Sequence, residues 1–224
     1  MALLVALDKP VEPGLAGLLC RVPGVAGVKV GLPAALRGGI GWARSVAREC
    51  DGLRVVDFKL ADISSVMAST VEPFLGHYDA FIAHSFVGVE GALDGLKSLL
   101  DSAGAKLVLV ATMSHEGARD VYDPSLPLVE RVVERVDPWG IVAPATRPGL
   151  VSRLRGRFPG KVILSPGVGA QGARPGAALC AGADYEIVGR SIMDTGDPVE
   201  AARLVAAAQE RALASCGGGA VGGG

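Results

Sequence analysis

The 224-residue sequence has few aromatic residues and almost no net charge. Five Phe, three Tyr and two Trp are its whole aromatic content, and 22 basic residues stand against 23 acidic ones, giving a formal net charge of −1. A chain without a basic excess has no global electrostatic attraction to nucleic acid or to an anionic membrane surface. Half of the residues are hydrophobic, which is too many for a disordered chain. We therefore expect a folded protein that binds neither a nucleic-acid polymer nor a membrane.

Long apolar runs and cysteine motifs are also missing. The apolar start at 1–7 has no basic lead and is followed by Asp8 and Lys9, so it predicts a buried strand rather than a signal peptide. No run approaches the roughly 18 apolar residues of a membrane span. The cysteines form no CxxC pair, which indicates neither a zinc site nor a disulfide framework. We expect free thiols in a reducing cytosol, and hence a cytoplasmic protein. The four cysteines are Cys20, Cys50, Cys180 and Cys216.

Eight short apolar runs rich in β-branched residues recur at intervals of 22 to 34 residues. They occupy 3–7, 25–30, 53–59, 80–84, 106–111, 140–143, 162–164 and 185–188. Stretches with helical apolar spacing lie between them, the clearest at 34–49, 64–75, 87–102 and 126–136. Continuous apolar strands alternating with helices predict βαβ units in a parallel sheet.

Eight such units predict a single (β/α)8 TIM barrel over residues 1–214, of the α/β class. The glycine-rich residues 215–224 predict a flexible tail. An open doubly wound sheet is the alternative. That fold usually carries a GxGxxG turn after its first strand, where this sequence has Asp8-Lys9-Pro10.

Charged residues lie at the carboxyl ends of the first three predicted strands, where a barrel of this type holds its active site. Asp57 and Lys59 are two residues apart, so they point to the same face of the third strand. Asp8 ends the first strand, Lys29 lies near the end of the second, and Asp62 follows the third. Buried charges persist when they are paired. The array predicts a catalytic cluster, with a salt-bridge layer that stabilises the barrel as the alternative.

The last two strand ends predict an anion site. Gly189 and Arg190 follow the eighth strand and open a helix at Ser191, so backbone N–H groups and a guanidinium are available to a phosphate. Three glycines and a proline in 165–172 indicate a loop that could close over a ligand. An ordinary helix start with a surface arginine, and an ordinary long turn, are the alternatives. The three histidines lack metal-ligand spacing, and we expect no metal site.

These residues together resemble one known family. The matching segments are Leu7-Asp8, 28–31 (VKVG), 57–63 (DFKLADI), 113–118 (MSHEGA), 165–172 (SPGVGAQG) and 188–192 (VGRSI). The sequence is similar in this respect to the orotidine 5′-phosphate decarboxylases of archaeal type. DxKxxD alone is shared with sugar-phosphate relatives, whereas the combination with MSHxGA and SPGxGAQG is far more specific. The resemblance implies cofactor-free conversion of orotidine 5′-monophosphate to uridine 5′-monophosphate in de novo pyrimidine biosynthesis, by a homodimer.

The resemblance also implies roles for the charged cluster. Lys59 would donate the proton to C6 of the pyrimidine, and Asp57 would lie against the departing carboxylate. Lys29 and Asp62 would complete the charge array, with Asp62 reaching the site of the partner subunit. Asp8 and Lys29 would hold the ribose hydroxyls.

The remaining implied roles concern substrate binding. Ser114 would read the amide edge of the pyrimidine, and Ile63 and Pro166 would line the ring pocket. The phosphate would be held by Gln171, Arg190 and the backbone of Gly189.

The sequence departs from the family pattern after Asp62. Ser64 stands where the family commonly has Pro, and Val66 stands where it has a Thr that helps to hold the ribose. Since Val66 has no side-chain hydrogen-bonding group, that contact is missing. Two other functions stay open on sequence grounds. One is a metal-dependent sugar-phosphate decarboxylase or synthase of the same superfamily, and the other is a non-catalytic barrel that binds a phosphorylated ligand.

Overall fold

A computed structural model describes residues 1–217, which form a closed barrel of eight parallel strands. The strands are β1 (Leu3–Leu7), β2 (Val25–Gly31), β3 (Leu53–Leu60), β4 (Ala80–His84), β5 (Lys106–Val110), β6 (Gly140–Val142), β7 (Val162–Pro166) and β8 (Tyr185–Val188). Each strand pairs with the next in sequence, and β8 pairs with β1 to close the barrel. The predicted (β/α)8 fold is thereby confirmed.

The helices surround this barrel. They are α1 (Pro13–Cys20), α2 (Leu32–Glu49), α3 (Ser64–Val71), α4 (Asp94–Ser102), α5 (Ala118–Val136), α6 (Pro148–Arg157), α7 (Ala177–Cys180), α8 (Arg190–Met193) and α9 (Pro198–Gly217). In the described part of the chain no helix is long and apolar enough to cross a membrane.

Prolines and glycines shift two of the predicted helix boundaries. The helix expected at 126–136 begins at Ala118, because Pro124 and Pro127 are accommodated inside α5. The helix expected at 87–102 begins only at Asp94, after short irregular turns that contain Gly91 at φ +71°.

Small and branched aliphatic side chains fill the barrel, which explains how so few aromatic residues suffice. Leu4, Val55, Ile82, Val108 and Leu164 point inward and are fully or almost fully buried. A second apolar layer lies between the strands and the helices. The inner apolar layer does not include the carboxyl ends of the strands, where polar residues lie instead.

Two disulfide bonds contradict the expectation of four free thiols. Cys20 at the end of α1 is bonded to Cys50 after α2, and Cys180 of α7 to Cys216 of α9. The partners are 30 and 36 residues apart in sequence, but their Cα atoms are 5.5 and 5.9 Å apart. Sequence spacing does not reveal such pairs, because each joins the ends of two helices that are 30 or more residues apart in sequence and come together only through helix packing.

The C-terminal helix extends past the point where composition predicts a tail. Residues 215–217 continue α9, and Cys216 within them is disulfide-bonded. The rest of the predicted tail, 218–224, lies outside the described residues.

Candidate active site

A cavity of about 640 Å³ opens at the carboxyl ends of the strands. This volume lies within the range of small-molecule sites. Nine of the eleven predicted site residues line this cavity. They are Asp8, Lys29, Asp57, Lys59, Ser114, Pro166, Gln171, Gly189 and Arg190. The two exceptions, Asp62 and Ile63, lie outside the lining.

The centre of the cavity wall is a carboxylate shared by two ammonium groups. Lys59 Nζ donates hydrogen bonds to Asp57 Oδ1 and Oδ2, at 2.9 and 2.8 Å. Lys29 Nζ lies 3.3 Å from Asp57 Oδ2 and donates a hydrogen bond to Asp8 Oδ1 at 3.0 Å. The side chains of Lys29 and Asp57 are 6% and 9% exposed, whereas that of Lys59 is 40% exposed. The cluster is therefore buried at Lys29 and open to a ligand at Lys59.

Burial and charge act in opposite directions on the buried members of this cluster. Burial alone would raise the pKa of Asp57, but the Lys29 and Lys59 charges outweigh it and hold that pKa below its ordinary value. Burial alone would lower the pKa of Lys29, but the Asp57 and Asp8 carboxylates raise it above its ordinary value. The cluster therefore keeps Asp57 as a carboxylate and Lys29 as an ammonium at neutral pH.

The end of β3 departs from regular strand geometry at the lysine. The pairing of β3 with β4 shifts register between Val56 and Leu60, and Lys59 has a φ of +46°. A non-glycine residue in the left-handed region costs about 1–2 kcal/mol. Backbone strain of this kind is concentrated at functional sites, which agrees with a special role for the Lys59 side chain.

Gly31 makes room for the aspartate of β1. A Cβ atom at residue 31 would lie 2.1 Å from Asp8 Oδ1 and 3.3 Å from Lys29 Nζ. Any side chain there would push the carboxylate away from Lys29. The glycine that ends the VKVG segment is thus required by the geometry of the charge cluster.

The predicted anion site forms the other end of the cavity. Arg190 is the first residue of α8, and Gln171 lies at the tip of the loop that follows β7. That loop closes on itself, since Gly172 N–H donates to Gly169 O at 2.8 Å and Ala173 N–H donates to Gly167 O at 3.2 Å. Both side chains are exposed and line the same cavity. The structure therefore brings together the two residues that the sequence assigns to a phosphate.

One polar residue of the cavity wall was not predicted from the sequence. Thr112 lies just beyond the end of β5, lines the cavity and is fully buried, yet its hydroxyl has no hydrogen-bond partner. An unpaired buried hydroxyl is costly, so Thr112 is an unusual residue to find in this wall. Its position two residues before the predicted Ser114 was the available signal.

Asp62 and its neighbours face outward. Asp62 Oδ1 accepts a hydrogen bond from the backbone N–H of Ile63 at 2.7 Å, and its side chain is exposed. Ile63 is 59% exposed and Val66 is 45% exposed. The structure therefore does not bring Asp62 and Ile63 into the cavity of their own subunit.

Residues 1–217 contain no group of three or more His, Cys, Asp or Glu side chains placed to hold a metal ion. The expectation of no metal site stays a prediction.

Comparison with known proteins gives a consistent result over nearly the whole chain. The sequence model described as "Orotidine 5'-phosphate decarboxylase / HUMPS family" matches residues 1–205. The orotidine 5′-phosphate decarboxylase of Aeropyrum pernix is 53% identical, over 91% of this chain and 86% of its own length.

Two solved structures extend the comparison to the fold. The orotidine 5′-monophosphate decarboxylase of Sulfolobus solfataricus has a TM-score of 0.89 at 39% identity, covering 95% of this chain and 99% of the other. The enzyme of Methanocaldococcus jannaschii, solved in complex with the inhibitor BMP, has a TM-score of 0.84 at 28% identity, covering 93% and 98%. The chain belongs to the orotidine 5′-phosphate decarboxylase / HUMPS family.

Proposed function

We propose that this protein is a carboxy-lyase that converts orotidine 5′-monophosphate to uridine 5′-monophosphate in pyrimidine biosynthesis, without a cofactor. One observation carries the proposal. It is the Asp57 carboxylate held between Lys29 and Lys59 at the wall of the cavity, in a chain 53% identical to a named decarboxylase of this type. A metal-dependent sugar-phosphate reaction is less favoured, because the relatives are named for the nucleotide reaction.

The reaction leaves an electron pair that the protein must stabilise. When the bond between C6 and the carboxyl carbon breaks, the pair stays on C6 and carbon dioxide departs. The Lys59 ammonium, the more exposed of the two lysines, would stabilise that carbanion through its charge and then transfer a proton to C6. Solvent would restore the ammonium.

Asp57 would act on both Lys59 and the substrate. Its two hydrogen bonds from Lys59 Nζ fix the ammonium in position, so little reorganisation is needed as charge develops. Its negative charge would also repel the substrate carboxylate, and this repulsion would be relieved as carbon dioxide forms.

The rest of the cavity would bind the nucleotide. Gln171, Arg190 and the Gly189 backbone would hold the phosphate, while Asp8 and Lys29 would hold ribose hydroxyls. Ser114 would hydrogen-bond the amide edge of the base, and Pro166 would pack against the ring. Ile63, like its neighbour Asp62, would reach a ring only in the site of a partner subunit. Each of these residues except Ile63 lines the cavity.

We also propose a homodimer in which Asp62 completes the partner's site. Asp62 is exposed and lies outside its own cavity, and the same segment carries two exposed apolar residues, Ile63 and Val66. In a two-fold dimer both copies would bury the same face. Because Val66 has no hydroxyl, Asp62 would hold the ribose hydroxyl without the usual threonine. We place the enzyme in the cytoplasm, where a charged nucleotide is retained.

One ultraviolet assay separates the candidate functions. The purified protein is mixed with orotidine 5′-monophosphate, with and without a chelator, and the absorbance band of the substrate is followed. Loss of the band that persists with chelator supports the proposal. Loss abolished by chelator would indicate the metal-dependent reaction. Tight binding of uridine 5′-monophosphate with no loss of the band would indicate a binding protein.

A further inference from the structure

The loop that follows β7 and carries Gln171 is joined to the start of α8 by one side chain that the proposed reaction does not use. Ser191 Oγ accepts a hydrogen bond from the backbone N–H of Ala170 at 3.0 Å. Ala170 directly precedes Gln171, and Ser191 directly follows Arg190. The bond therefore connects the immediate neighbours of the two side chains proposed to hold the phosphate.

The loop backbone is shaped to receive this serine. A Cβ atom at residue 169 would lie 2.1 Å from Ser191 Oγ and 2.8 Å from Ser191 Cβ. Gly169 also has a φ of +75°, which favours glycine. The absence of a side chain at 169 and the hydroxyl at 191 thus form one matched contact.

The far side of the loop is held by its own backbone. Gly169 N–H donates to Ala173 O at 2.9 Å, and Val168 forms an isolated bridge with Ala173. These bonds give the turn a shape, but they do not fix its position relative to Arg190. Among the described residues the Ala170–Ser191 bond is the side-chain hydrogen bond that links this turn to α8.

We propose that Ser191 is a positioning residue for phosphate binding: its hydroxyl fastens the loop so that Gln171 and Arg190 face the same anion. This inference rests on the proposed function and names a residue that the reaction itself does not require. Binding strengthens when the binding groups are arranged before the ligand arrives, because less ordering is needed afterwards. Ser191 acts through its neighbours and makes no contact with the reacting atoms.

The test compares a phosphorylated with an unphosphorylated substrate. In Ser191→Ala we expect KM for orotidine 5′-monophosphate to rise about threefold to tenfold, the range of one net hydrogen bond, with kcat changed less than twofold. The value of kcat/KM for the nucleoside orotidine should stay unchanged, since it has no phosphate. Ser191→Thr, which keeps a hydroxyl, should have a KM close to that of the wild type.

Thr195→Ala is the matched control. Thr195 Oγ1 donates to Ile192 O at 2.7 Å within the same short segment and does not reach the loop. Thr195→Ala should leave kcat and KM unchanged for both substrates. Equal losses for nucleotide and nucleoside in Ser191→Ala would reveal a general structural effect and overturn the proposal, and so would an unchanged KM.

Two binding measurements separate this proposal from the proposed reaction. Ser191→Ala should weaken the binding of uridine 5′-monophosphate about threefold to tenfold and leave the binding of uridine unchanged. The backbone amide of Ala170 should also exchange its hydrogen faster in this variant. A wild-type protein that binds uridine 5′-monophosphate but does not decarboxylate would refute the reaction and leave the serine to be judged by these two readouts. Unchanged nucleotide binding in Ser191→Ala, or no binding by the wild type, would overturn the role of Ser191.

Discussion

Lys59 donates hydrogen bonds to both carboxylate oxygens of Asp57 from a left-handed backbone conformation at the end of the same strand. The two residues are only two positions apart, so the alternation of a strand already puts them on one face. The same carboxylate lies 3.3 Å from the buried ammonium of Lys29. Asp57 is therefore held from both sides, and Lys59 is the one of its two partners with substantial exposure to the cavity.

Removing the Lys59 ammonium should abolish most of the turnover. A preorganised charge that stabilises a developing anion contributes about 2.7–4 kcal/mol, so Lys59→Ala should lose at least about a hundredfold in kcat. Steady-state kinetics on orotidine 5′-monophosphate measures the loss. Lys106→Ala is the control, because Lys106 is exposed at the first residue of β5 and does not line the cavity. A Lys59→Ala variant within tenfold of the wild type would exclude this role.

Asp57 should stabilise the fold in a pH-dependent way. Its folded pKa lies below the ordinary value of 3.8, so its contribution to stability is present above that value. The contribution is lost as the pH falls through the folded pKa. Asp57→Asn leaves Lys29 buried with one counter-charge fewer, and we expect a loss of up to about 3–5 kcal/mol at neutral pH.

Thermal unfolding of the wild type and of Asp57→Asn between neutral and acid pH measures this contribution. The difference in Tm should shrink as the medium becomes more acid than Asp57's folded pKa. Asp101→Asn is the control, since Asp101 forms a surface pair with Lys97, and such pairs contribute about 0–1 kcal/mol. A Tm difference that is independent of pH would contradict the assigned charge state.

The disulfides should account for a large share of the thermal stability. Closing loops of 30 and 36 residues is worth about 3–4 kcal/mol each in the chain-entropy account. For a chain of this size that corresponds to about 6–16 °C in Tm for each bond. Denatured, unreduced protein should take up no alkylating reagent at Cys20, Cys50, Cys180 or Cys216, as read by mass spectrometry.

Serine variants provide the controls for this prediction. The double variant Cys20→Ser/Cys50→Ser should lose one increment of Tm and still respond to reductant through the bond of Cys180. A variant with serine at all four positions should not respond to reductant at all. Equal reductant sensitivity of the fourfold variant and the wild type would show that the bonds do not form.

The barrel and most of the cavity could be predicted because both depend on local pattern. Each strand is a separate apolar run, and the fold brings the carboxyl ends of all strands to one end of the barrel, which is where Asp8, Lys29 and Lys59 lie. Features that depend on three-dimensional packing could not be predicted. The positive φ of Lys59 accompanies a register shift of β3 against β4, and the bond between Cys20 and Cys50 depends on how α1 packs beside α2.

The proposed role of Asp62 in the partner's site can be tested by mixing two variants that are each impaired in activity. If Asp62 completes the partner's site, Lys59→Ala damages the site of its own subunit and Asp62→Ala damages the site of its neighbour. In a mixed dimer one site then carries both changes, and the other carries neither. Random exchange between equal amounts makes half of the dimers mixed, so about a quarter of the sites should be intact.

The expected result is recovery of about a quarter of the wild-type kcat after the two variants are unfolded and refolded together, from activities far below that level. Sedimentation should give the mass of two chains. The control is the mixture of Asp57→Asn with Lys59→Ala, because both residues line the cavity of one subunit, and a mixed dimer then has no intact site. Activity of the Asp62 mixture no higher than this control would show that Asp62 serves its own subunit, and a fully active monomer would exclude the shared site altogether.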